Sequence, residues 1–109
     1  MAETRKVLGQ SAPSATTPTD LYTVPGATQV VGSSIVVCNR GATVTTFRIS
    51  IRVAGAGANN KQYLYYDVEI NQNDTFIATV GMTLGATDVV TVYAGNANLS
   101  FNLFGVEVS

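Results

Sequence analysis

Asp67 and Glu69 are two carboxylates whose spacing suits bond-breaking chemistry. On a strand they face the same way, roughly 7 Å apart between Cα atoms. Glycosidases set their acid and base at such separations. The strand expected beside them carries Arg48, however, and a guanidinium there would keep both carboxyls ionised instead of raising one pKa for acid catalysis. We therefore read the pair as structural.

The other routes to catalysis fail for want of a partner. The chain contains no His, the usual general base near neutral pH. Without it Cys38 has nothing to make it a thiolate, and its apolar strand predicts an inert, buried thiol. No G-x-S-x-G elbow occurs, and the glycines of 55–57 and 81–85 fit neither a phosphate-binding loop nor a dinucleotide fingerprint. The acidic residues are scattered, and Asn71-Gln72-Asn73-Asp74 reads as a hairpin turn before it reads as a calcium loop. No catalytic, cofactor-binding or metal-ligating residue is expected, and no enzyme activity.

Composition points the same way. Of 109 residues only 12% are charged, about half the usual share, and the net charge is −1. That excludes the basic footprint of a nucleic-acid binder. No apolar run is long enough for a membrane span, and no apolar core follows the polar start, so neither a membrane anchor nor a secretory signal is expected. A surface of Thr, Ser, Asn, Gln and Gly is cheap to desolvate against other protein. We read a subunit made in the cytoplasm that spends its life packed against copies of itself or other partners.

The elements that must position any site are strands. Residues 1–19 stand apart, with Pro13 and Pro18 in a small-residue segment that blocks helix. They read as an extended N-terminal arm with at most a short strand at Lys6–Gln10, and Val7 and Leu8 as its candidate docking pair. Residues 20–109 read as the folded domain, with strands at 21–24, 29–39, 45–53, 62–70, 75–83, 89–94 and 99–108. Short strands with frequent turn signals predict an all-β, antiparallel two-sheet β-sandwich of jelly-roll type. In the last strand Leu99, Phe101 and Leu103 share one parity and Val106 and Val108 the other, which predicts a bulge at Phe104-Gly105.

The hairpin over 45–70 allows a register to be written. Opposing Arg52 to Tyr63 brings Ile51 to Leu64, Ile49 to Tyr66 and Phe47 to Val68 on the core face. It brings Arg48 to Asp67 and Thr46 to Glu69 on the other. Tyr63 and Tyr65 then face outward beside Arg48 and Arg52. Tyr and Arg favour interface hot spots, while aromatic rings also stack on sugars, and plain cross-strand packing is the third reading.

Val7-Leu8-Gly9-Gln10, Asp20 to Pro25, Val36 to Gly41, Tyr63 to Asp67 and Ser100 to Gly105 together resemble a group of roughly 100-residue virion structural proteins of tailed bacteriophages. These are framework and turn residues, and they carry no active site. Among virion components the resemblance implies a capsid decoration (cement) protein: a small β domain, often trimeric, seated on the major capsid protein lattice at the virion surface. Such proteins commonly clamp their neighbours with an extended arm. Deleting residues 2–19 is then expected to abolish capsid binding and leave the fold intact. The alternative is a tail, baseplate or fibre-associated protein that binds a host glycan.

Overall fold

The structure, a computed structural model, describes residues 2–109. Among them are nine strands: β1 (Glu3–Ser11), β2 (Thr19–Thr23), β3 (Gln29–Asn39), β4 (Thr45–Arg52), β5 (Tyr63–Ile70), β6 (Thr75–Ala78), β7 (Thr83–Leu84), β8 (Val89–Ala94) and β9 (Leu99–Val108). They form two antiparallel sheets packed as a β-sandwich. One runs β1-β9-β3-β6, with β7 also pairing to β3; the other runs β2-β8-β4-β5. The pairs are nested: β4 pairs with β5, β3 with β6, β2 with β8 and β1 with β9. The chain is in effect one long hairpin wound around its core.

Period-two patterning explains the core. Val30, Ile35 and Val37 of β3 and Leu99, Phe101 and Leu103 of β9 face Phe47 and Ile49 of β4 and Val90 and Val92 of β8, all fully buried. Of the buried polar residues Thr28, Asn39 and Ser50, Asn39 is the fully buried one. Its side-chain amide donates to the carbonyls of Thr43, Ile70 and Asn71 and its oxygen accepts from the Gly41 amide, which closes one end of the sandwich.

The expected arm is instead an edge strand. Glu3–Ser11 pairs along β9, Leu8 lies in the core, and Pro13 is buried in the connection that follows. The Thr16 amide donates to the Ala94 carbonyl at 2.8 Å, so this connection is docked as well. The charges of Glu3, Arg5 and Lys6, which suggest a solvated tail, are what an exposed sheet edge needs to resist pairing with another chain. Residues 3–11 are thus part of the sheet that the rest of the chain builds.

Two registers also differ from expectation. Thr46–Glu69 and Phe47–Val68 pair as written, but irregularities then shift the ladder, so that Ile49 meets Tyr65 and Ser50 meets Tyr63. Asp67 has left-handed backbone there (φ 53°), a local conformation that alternation cannot reveal. Along β9 no parity change occurs. The shifts lie on its partners, at Leu8 of β1 and Ser33 of β3, and Phe104, Val106 and Val108 all point to the outer face. Gly105 keeps the inner position, where a Cβ would lie 2.6 Å from the Val31 carbonyl oxygen and 3.0 Å from Leu8. Cys38 is only half-buried, on the same outer face, between Ser100 and Thr75.

Candidate functional site

The two outer faces of the sandwich differ in chemistry, and the sequence-predicted residues divide between them. On the five-stranded sheet, cross-strand partners place Val7 beside Phe104, Val31 beside Val106 and Val36 beside Ile77. Val7 is 44% exposed, Val31 50% and Ile77 66%. The charged side chains that the register places on this face are Glu3 and Arg5, both on edge strand β1. Outer faces of antiparallel sheets are ordinarily polar; here Val7, Phe104, Val31, Val106, Val36 and Ile77 are interspersed with Ser34, Asn102 and Thr83, which makes the face unusually rich in exposed apolar side chains. Val7 belongs to it. Leu8, adjacent in sequence, does not, because it points into the core.

The outer face of the four-stranded sheet is polar and aromatic. Arg48 is its centre. Its Nε donates to one Asp67 carboxylate oxygen at 2.6 Å and Nη2 to the other at 3.3 Å. Its guanidinium lies 4.2 Å from the Tyr66 ring centroid and 4.3 Å from that of Tyr93. The hydrogen-bonded Asp67 carboxylate, working against partial desolvation, raises the Arg48 pKa further above its already high ordinary range. Expectation had Asp67 opposite Arg48, and they do pair. Tyr66 was expected in the core and is instead 56% exposed on this face.

Tyr65 shows the opposite correction. The shifted register turns it inward, where its ring packs on Phe76 at 5.3 Å and Phe47 at 6.3 Å. It is a half-buried aromatic packed against the core and lies outside the patch. Tyr63 stays, half-buried, edge-to-face with Tyr66 at 4.9 Å.

Arg52 is held by four groups. It donates to Thr91 Oγ1, to the carbonyls of Gly55 and Ala56, and to Asp20 at 3.0 Å. The 54–62 loop is thereby drawn against the sheet, and Asn59 and Gln62 brace it by capping each other's backbone. Between this loop and Pro18 lies a cleft of about 320 Å³ whose floor includes Arg48, Ser50, Arg52, Thr91 and Tyr93. Asp20, Tyr66 and Tyr93 were not singled out from sequence. Only the strand order β2-β8-β4-β5 brings them beside the two arginines.

Among the described residues no group of three or more His, Cys, Asp or Glu side chains could hold a metal ion, and no helix is long and apolar enough to cross a membrane. Asp67 and Glu69 do not act as a pair: Asp67 is committed to Arg48, while Glu69 lies opposite Thr46. No protein-family model matches the chain, and a search of curated proteins returns no significant relative.

Proposed function

We propose that this chain is a non-enzymatic structural subunit of a bacteriophage virion, a capsid decoration protein that binds the major capsid protein lattice, stabilises the head and associates with copies of itself as a trimer. The observation that carries the reading is the apolar outer face of the five-stranded sheet. A protein lattice can cover it, apart from the β1 edge where Glu3 and Arg5 lie, without stripping water from ions, and burying its valines and Ile77 is worth about 1.5–3 kcal/mol each at most. The strand order supports the reading too. Nine strands lie five and four to a sheet, with β1-β9, β2-β8, β3-β6 and β4-β5 nested, an order compatible with a jelly roll, an architecture found in viral capsid and lectin domains. That is support by analogy of fold; the resemblance of the framework residues to phage virion proteins adds to it.

The means of attachment changes from the sequence expectation. With β1 built into the sheet, no free arm is available as a clamp, and Val7 contributes as one member of the apolar face. The test is binding of the purified chain to capsids lacking it, scored by copies bound per particle. Val31→Asp with Ile77→Asp places two charges on the face without touching the core. It is expected to weaken binding at least about a hundredfold, since each buried unpaired charge costs several kcal/mol, while the monomer stays folded. Undiminished binding by the double variant would overturn the assignment of this face.

A further inference from the structure

We propose that the cleft on the four-stranded sheet is a saccharide-binding site. The inference stands apart from the decoration reading, since it concerns the opposite face of the sandwich. The cleft crosses all four strands, from Asp20 on β2 over Thr91 and Tyr93 on β8 and Arg48 and Arg52 on β4 to Tyr63 on β5. Three strand spacings make it about 14 Å across, room for a short oligosaccharide.

Its unspent hydrogen-bonding capacity selects the ligand. Arg48 uses Nε and Nη2 on Asp67, and its Nη1 donors have no partner among the described residues. Asp20 accepts from Arg52 and Thr91 through Oδ1 alone, which leaves Oδ2 as a free acceptor. The phenol hydroxyls of Tyr63 and Tyr93 are likewise without intramolecular partners among the described residues, and each can donate or accept. Donors, acceptors and aromatic carbon thus alternate along one groove. A sugar chain, whose hydroxyls both donate and accept and whose ring faces present C–H groups, satisfies that mixture.

Other ligand classes fit less well. An anionic peptide or a nucleic acid would find both guanidiniums already neutralised by carboxylates, on a chain of net charge −1. An apolar molecule would strand the charged groups of the floor without water. The site is also preorganised: four acceptors hold Arg52, and two rings and a carboxylate hold Arg48, so little ordering remains to be done on binding.

The experiment uses the full chain on a printed array of bacterial and eukaryotic surface glycans, followed by an amide NMR titration with the best-bound glycan. The proposal expects binding, with shifts confined to residues 18–20, 48–52, 58–63 and 91–93. Tyr63→Ala and Asp20→Asn should each weaken it by at least about tenfold, while Val31→Asp on the opposite face leaves it unchanged. Asp20→Asn is the surface substitution, and its free amide spectrum checks that the fold is kept. An array with no glycan bound, shifts on the apolar face, or unchanged affinity in the Asp20 variant would each overturn the proposal.

Discussion

Val7 and Leu8 are neighbours in sequence and lie on opposite sides of one edge strand, Val7 on the apolar outer face and Leu8 in the core at 8% exposure. The register of β1 shifts between Val7 and Gly9, which turns Leu8 inward over the Gly105 position. A pair that reads as one docking motif in the sequence is thus divided between the outer face and the core. Leu8→Ala should lower unfolding free energy by about 2–4 kcal/mol in urea denaturation. Val7→Asp should leave stability within about 0.5 kcal/mol and reduce capsid binding. Removal of residues 2–11 is expected to expose the β9 edge and cause aggregation, contrary to what a free arm would allow.

Tyr22 on β2 donates a 2.5 Å hydrogen bond across the sandwich to Glu107 on β9, and Lys6 approaches the same carboxylate at 3.3 Å. The Tyr22 phenol, with Lys6 after it, holds the Glu107 carboxyl below its ordinary range; burial, then Glu107 itself, pushes the Tyr22 phenol well above its own. A lowered carboxyl pKa contributes stability above the unfolded value of about 4.3, and that contribution is lost as pH falls through the folded value. A raised phenol pKa contributes below the unfolded value of about 10, and that contribution is lost as pH rises through the folded value. Tyr22→Phe should cost about 1.5 kcal/mol near neutrality, and the difference from wild type should shrink toward both extremes. Urea midpoints across pH measure this, and a difference independent of pH would contradict it.

Asn39 satisfies three carbonyls and one amide from a fully buried position. Asn39→Ala leaves those groups without a partner and opens a void, at a cost of about 3 kcal/mol. Asn39→Leu restores volume but not the hydrogen bonds, so it should recover little of the loss. Thermal unfolding of the two variants separates packing from polar satisfaction.

Asp67 combines an ion pair with left-handed backbone. Asp67→Gly loses only the ion pair with Arg48, whereas Asp67→Val also forces a β-branched residue into that conformation. The Val variant should be less stable than the Gly variant by about 1–2 kcal/mol. Equal stability would mean that the left-handed conformation at Asp67 is relaxed in the variants.

How much of this was legible in the sequence follows from what alternation can carry. β3, β8 and β9 begin and end where their patterns and turn residues say. The Arg48–Asp67 pairing followed from charge matched across a hairpin. What alternation cannot carry is a shift of register. The shifts near Asp67, Leu8 and Ser33 reassigned Tyr65, Tyr66, Leu8 and Val106, and with them the apolar face, which was hidden by assuming that Val106 and Val108 turn inward. The cleft was illegible for a different reason: Asp20, Arg52 and Tyr93 are far apart in the chain, and only sheet order unites them.

The most direct test of the central claim is cryo-electron microscopy of the source virions. Density for this subunit, about 45 × 27 × 19 Å, is expected on the capsid shell at local symmetry axes, with the β1-β9-β3-β6 sheet against protein and the Arg48 cleft facing solvent. Density on the tail, contact with the shell through the four-stranded sheet, or absence from the particle would contradict it.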